Sequence, residues 1–263
     1  MPLIGALLVW LLAAPALAFP PAAMGLTPYD DAELIEGFVD TVFGAETGDL
    51  RAENRTVKKF VGPVRLYVST PAPGDAYADR VYNFAADLSR VVDNLSIVRT
   101  SSKARADMIV YLTTRRRYAS TIRDQVWHGV DTAFLERNTC SAVLSSRRSG
   151  IERAKIFLVV DEGFLRFWHC VVEELAQSLG PANDSPRLPD SIFNDHSSVN
   201  TLLVFDWFIL NMLYDPRIRP GMTEDEVVPL LPKVIADARA RLPDVLRPLM
   251  DGYQENVATH SVR

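Results

Sequence analysis

One segment restricts the folding of this chain more than any other. At 100° per residue, residues 162–180 place Phe164, Leu165, Trp168, Val171, Val172, Leu175 and Leu179 on one broad helical face. Arg166, His169, Glu173 and Gln177 fall on the opposite face, with Glu174 just beside them. A helix divided in this way buries its apolar side against another layer. Asp161 stands before it as an N-cap, and Gly180-Pro181 follows it as C′ glycine and stop signal.

The neighbouring segments supply that layer. Residues 64–68 alternate apolar and polar and stop before Pro71, which reads as a strand. Residues 96–100 and the dense apolar run in 106–112 read as two more. Residues 140–144 and 154–160, joined by Ser-Arg-Arg-Ser-Gly, read as an antiparallel pair. Helical spacing marks residues 30–42, 76–94 and 198–214, and a capping box, Thr223 with Glu226, opens a last helical region. Residues 115–138 are polar, dotted with aromatics, and read as a loop. This order predicts an α+β fold, one mixed sheet with helices against it. The expected organisation is a leader over 1–18, a linker and helical extension over 19–58, a central domain over 59–222 and a helical region over 223–263.

Composition narrows the function classes. Residues 3–18 are uncharged and end in Ala16-Leu17-Ala18, the h-region and cleavage pattern of a secretory signal; retention as an anchor is the alternative. The run is shorter than the roughly 20 residues of a spanning helix, and Pro15 interrupts it. An envelope or secreted location is therefore expected, with no membrane span after cleavage. The net charge is −5, and Arg115-Arg116-Arg117 is the one basic cluster, so no nucleic-acid partner is expected. The two cysteines, Cys140 and Cys170, form an even, minimal set that suggests a disulfide in an oxidising compartment, with two separate thiols as the alternative. Asp206 interrupts the apolar 198–214 helix and wants a partner, for which Arg217 or Arg219 is the expected answer.

The string from Glu173 to Asp184 (EELAQSLGPAND) resembles the metzincin zinc motif, His-Glu-x-x-His-x-x-Gly-x-x-His. It keeps Glu174 at the general-base position and Gly180 at the turn, and it places Glu173, Gln177 and Asn183 where that family has its histidine ligands. Ser191-Ile192-Phe193 stands where the related peptidases carry a Ser-Ile-Met turn. The pattern Cys170-x-x-Glu-Glu-x-x-Gln-x-Leu-Gly, with Asn183-Asp184, Ser191-Ile192-Phe193-Asn194-Asp195 and Leu213-Tyr214-Asp215-Pro216-Arg217, resembles more closely a family of exported bacterial proteins defined only as a domain of unknown function.

The resemblance implies a zincin-like sheet with an antiparallel edge strand, and a bacterial periplasmic or secreted location. Zinc favours imidazole and thiolate, so one carboxylate and two neutral amides suit a hard cation weakly and zinc hardly at all. The expectation is a non-catalytic cleft that takes a peptide or small ligand at Glu173, Gln177, Asn183, Asp184, Ser191 and His169, with no cofactor. The alternative is a metal-dependent hydrolase with Glu174 as general base and a shifted ligand set of His169, Glu173 and His196.

Overall fold

A computed structural model of the chain describes residues 29–43, 55–70, 76–126, 137–194, 196–197 and 199–260, with side chains as far as residue 246. The expected leader lies outside these residues, as do positions 19–28 and 44–54 of the expected linker and helical extension. A five-stranded mixed sheet is built from β1 (Val64–Ser69), β2 (Ile97–Arg99), β3 (Met108–Thr113), β4 (Cys140–Arg147) and β5 (Gly150–Val159), in the order β2-β1-β3-β5-β4. Its neighbours run parallel except for β4, which pairs antiparallel with β5 at one edge. The predicted class and the antiparallel pair are both present. Each strand of the hairpin runs further toward the turn than expected, to Arg147 and from Gly150.

Burial explains why residues 108–112 are apolar without alternation. Met108, Val110 and Leu112 enter the main core on one face, while Ile109 and Tyr111 enter a smaller core on the other. A central strand covered on both sides leaves no position for a polar side chain. On the main face lie α1 (Asp31–Phe43), α2 (Ala76–Val91), a groove helix, α4 (Phe164–Gln177), and α5 (Val204–Tyr214). The long C-terminal helix α6 (Leu231–His260) joins the same core through Leu231, Val234, Ile235 and Ala238.

The second face is covered by α3 (Arg115–Gln125), which corrects the loop expected there. Its apolar contribution is mainly Tyr118 and Ile122, an i, i+4 pair packed beside Phe157 and Val159. Two apolar positions among charged neighbours are too few to show a period. The cap also differs from expectation. Gly163 holds the cap position of the groove helix, and the Asp161 carboxylate instead accepts the backbone N–H of Arg115 at the first residue of α3, 2.7 Å away. The expected 198–214 helix begins only at Val204, where the Asp206 carboxylate accepts the Leu203 N–H at 2.8 Å.

That bond corrects the partner expected for Asp206. Its carboxylate accepts the Ser191 hydroxyl at 2.6 Å and the Ile192 N–H at 3.2 Å, not an arginine. Arg217 pairs with Asp215 and Asp237 instead. A third-position carboxylate meets the unpaired N–H groups and positive end of the helix, so it needs no cation. Burial nevertheless pushes the Asp206 carboxyl up to about 7, against the downward pull of its hydrogen bonds from Ser191, Leu203 and Ile192.

A segment before β1 locks these layers together. Val57 exchanges backbone hydrogen bonds with the 221–222 turn, and Ile151 donates to the Lys59 carbonyl. The buried Lys59 ammonium donates to the carbonyls of Leu213 (2.8 Å) and Asp215 (3.2 Å), closing the C-terminal end of α5. Burial lowers its pKa to about 8, partly offset by Asp215.

Asp206 sets a pH signature. Its folded pKa lies above the roughly 3.9 of an unfolded aspartate, so its contribution is full below about pH 4 and is shed as pH rises toward neutrality. Ser191→Ala removes a donor that favours the ionised carboxylate, and is expected to cost about 1 kcal/mol at about pH 5 and about 2 kcal/mol at about pH 8. Urea denaturation at the two pH values measures the difference, and an equal cost at both contradicts the assignment.

Candidate functional site

A groove of about 1110 Å³ runs between the edge strand β4 and the groove helix α4. One wall is formed by Cys140, Ser141, Ala142, Leu144 and Ser146 of β4. The helix contributes His169, Cys170, Glu173, Glu174 and Gln177. The far wall comes from the loop after the helix, with Asn183, Asp184, Asn194 and His196.

The polar side of α4 reaches the groove because its first turn overhangs the core. Phe164 and Leu165, expected on the buried face, are 45% and 72% exposed. Burial begins at Phe167 and runs through Val171 and Leu175, and this rotation takes Glu174 to 7% exposure. Glu173 keeps to the groove side, its Oε2 3.4 Å from His169 Nε2. His169 Nδ1 lies 2.8 Å from the Val199 carbonyl, and because a carbonyl only accepts, Nδ1 carries the proton.

The two amides at the ligand positions of the metzincin motif act as struts. Gln177 Nε2 donates to both oxygens of Asp184, at 2.9 and 3.1 Å. Asn183 Nδ2 donates to the Thr41 carbonyl at 3.1 Å, and its backbone N–H donates to the same oxygen at 3.2 Å. Asp40, one residue earlier on α1, accepts the Ser185 hydroxyl and pairs with Arg187. The C-terminal end of α1 thus fixes the groove loop from outside. Zinc does not suit positions 173, 177 and 183, which offer one charged oxygen and two neutral amide oxygens in place of the imidazole and thiolate it favours.

Of the predicted site residues, His169, Glu173, Glu174, Gln177, Asn183, Asp184 and His196 all line the groove. Ser191 lies apart, buried against Asp206. Among the described residues, the group of three His, Cys, Asp or Glu side chains whose ligand atoms all lie within 4.8 Å is Cys140, Glu173 and Glu174. The set His169, Glu173 and His196 does not meet that spacing.

Cys140 and Cys170 are joined by a disulfide, with Cα atoms 5.8 Å apart. The bridge ties the start of β4 to the groove helix and, closing a loop of this length, contributes about 3–4 kcal/mol. Two further residues escaped the sequence reading. The Arg115 guanidinium donates to the Asn138 carbonyl just before β4. The Tyr118 hydroxyl, 2.9 Å from Ser141 Oγ, holds β4 from the opposite face. Burial pushes the Tyr118 phenol well above its ordinary pKa, Ser141 opposes this, and the nearby Glu174 charge adds to it. Both residues sit in a stretch whose helical period was too faint to read.

Gly180, which ends the helix, has φ 137°, and a Cβ there would lie 2.2 Å from the Lys58 carbonyl and 2.8 Å from Leu213 Cδ2. Sterics as well as backbone conformation therefore demand glycine. Gly180→Ala is expected to cost roughly 2–4 kcal/mol. Thermal or urea unfolding reads that loss, and an unchanged midpoint would show that the crossing relaxes freely.

A family model described as "Protein of unknown function (DUF2927)" matches residues 31–233. No curated protein matches the chain. Among the described residues, no helix is long and apolar enough to cross a membrane.

Proposed function

We propose that this chain, which belongs to the DUF2927 family of unknown function, is an exported, non-catalytic binding module that holds an extended peptide or small ligand in the β4–α4 groove. The observation that carries this reading is the shared lining. The edge strand and the polar helix face Glu173, Glu174 and Gln177 border one cavity. An antiparallel edge strand offers backbone donors and acceptors to an added strand, and alternate side chains then meet pockets. Cys140, Ala142, Leu144 and Ser146 all border the groove at the required spacing of two.

The zincin-like reading draws support from the element order, the edge strand beside the helix and the glycine turn at Gly180. Hydrolysis in that class relies on a metal that polarises water and carbonyl, and Glu174 activates nothing without one. Amides at 177 and 183 in place of histidines, braced against Asp184 and Thr41, favour binding over catalysis. The Cys140–Cys170 bridge fits assembly in an oxidising compartment, in keeping with an envelope or secreted location.

Ala142→Arg places a long charged side chain in the groove wall. Screening a random peptide array against the wild type should return binders, and their affinity should fall at least about tenfold in the variant with the melting temperature retained. Metal-dependent proteolysis by the wild type that is abolished by Glu174→Gln would establish the hydrolase instead. Binders that ignore Ala142→Arg would place recognition elsewhere.

A further inference from the structure

Three of the side chains that line the groove are close enough together to do more than border it. Cys140 Sγ and one carboxylate oxygen from each of Glu173 and Glu174 lie within 4.8 Å of one another. Cys170, bonded to Cys140, precedes those glutamates by three and four residues on α4, the spacing that stacks side chains on one helix face. One sulfur and two carboxylates therefore converge between the start of β4 and the middle of α4, with the second sulfur bonded to the first but outside that cluster.

We propose that Cys140, Cys170, Glu173 and Glu174 form a zinc site when the disulfide is reduced, so that this corner alternates between a covalent bridge and a metal centre. Zinc takes four ligands in a tetrahedron, and thiolate with carboxylate is a suitable set. With Zn–S about 2.3 Å and Zn–O about 2.0–2.2 Å, neighbouring ligand atoms lie roughly 3.3–3.8 Å apart, so the three clustered atoms close with side-chain shifts of about an ångström and Cys170 completes the set by a larger movement. The sulfurs must part from about 2 Å in a disulfide to roughly 3.8 Å, which rotation about χ1 supplies. Cys170 is 1% exposed and Glu174 is buried, whereas the half-buried Cys140 and Glu173 border the groove and give the ion a way in.

The chemistry balances simply. A dithiol reductant gives two electrons and two protons, closes its own disulfide and breaks the S–S bond, leaving two thiols. Zinc then displaces both thiol protons to solvent, as only thiolates are ligands. The ion's two positive charges replace those two protons, so the charge of the site is the same in both states. A disulfide sulfur carries no charge, and the oxidised cluster offers two carboxylates alone. The site shares Cys140, Glu173 and Glu174 with the groove lining, but zinc binding is read without any peptide, so its failure and that of the binding reading are distinguishable.

The test uses the full chain, oxidised or reduced with a phosphine, which becomes its oxide with oxygen from water. Zinc chloride is titrated against a chromophoric competitor, and thermal unfolding is followed in parallel. The reduced chain is expected to bind one zinc and gain several degrees in melting temperature, and the oxidised chain to bind none. The double variant Glu173→Gln/Glu174→Gln is expected to bind at least about tenfold more weakly when reduced. Its melting transition when oxidised serves as the folding control, and the single variants carry the comparison should that transition be lost. A reduced chain that unfolds and is refolded by zinc supports the site equally. Zinc bound by the oxidised chain, no zinc bound by the reduced one, or full affinity in the glutamate variants would each overturn the proposal.

Discussion

Everything around the groove depends on one close crossing, where the Lys58 carbonyl passes Gly180 with no room for a Cβ. The same short segment pairs Val57 with the 221–222 turn and Lys59 with β5. Its lysine amine then closes the end of α5 through Leu213 and Asp215. Three elements distant in sequence are thereby fixed against the end of the groove helix. The turn that carries Asn183 and Asp184 leaves α4 in one direction because of it.

The rest of the groove is positioned by polar ties of the same kind. The disulfide anchors β4 to α4 at one end. Asn183 and Ser185 are fastened to the last turn of α1 at the other. Between them, Tyr118 and Arg115 hold β4 and its approach from α3. Under the proposed function, such fixed surroundings leave less ordering to be done on binding. The amides at 177 and 183 are part of this framework, each donating to a fixed oxygen.

Much of the fold was legible because its signals are local. The strand expected over 106–112 follows from its apolar run, and the antiparallel pair expected over 140–144 and 154–160 from its patterning and the Ser-Arg-Arg-Ser-Gly turn between. The failures share one cause, that partners come from elsewhere in the chain. Helix 115–125 shows only Tyr118 and Ile122 as apolar signal and depends on a sheet face supplied by β3 and β5. Asp161 looked like a cap for the helix it precedes and serves the one at Arg115 instead. Asp206 looked short of a cation and was satisfied by donors at Ser191, Ile192 and Leu203.

By itself, the sequence determined the class of fold, the amphipathic helix through Glu173 and Gln177, its stop at Gly180 and the residue types facing one groove. These follow from side-chain spacing and backbone preference, which act within a few residues. Only the tertiary structure decided how that helix is rotated, so that Glu174 is buried while Phe164 and Leu165 are not. It also decided which polar groups are struts and which remain in the groove, and that Cys140 meets Cys170 beside two carboxylates. Hydrogen bonds and disulfides between distant segments form only where packing brings their atoms within about 3 Å, and no local pattern encodes that distance.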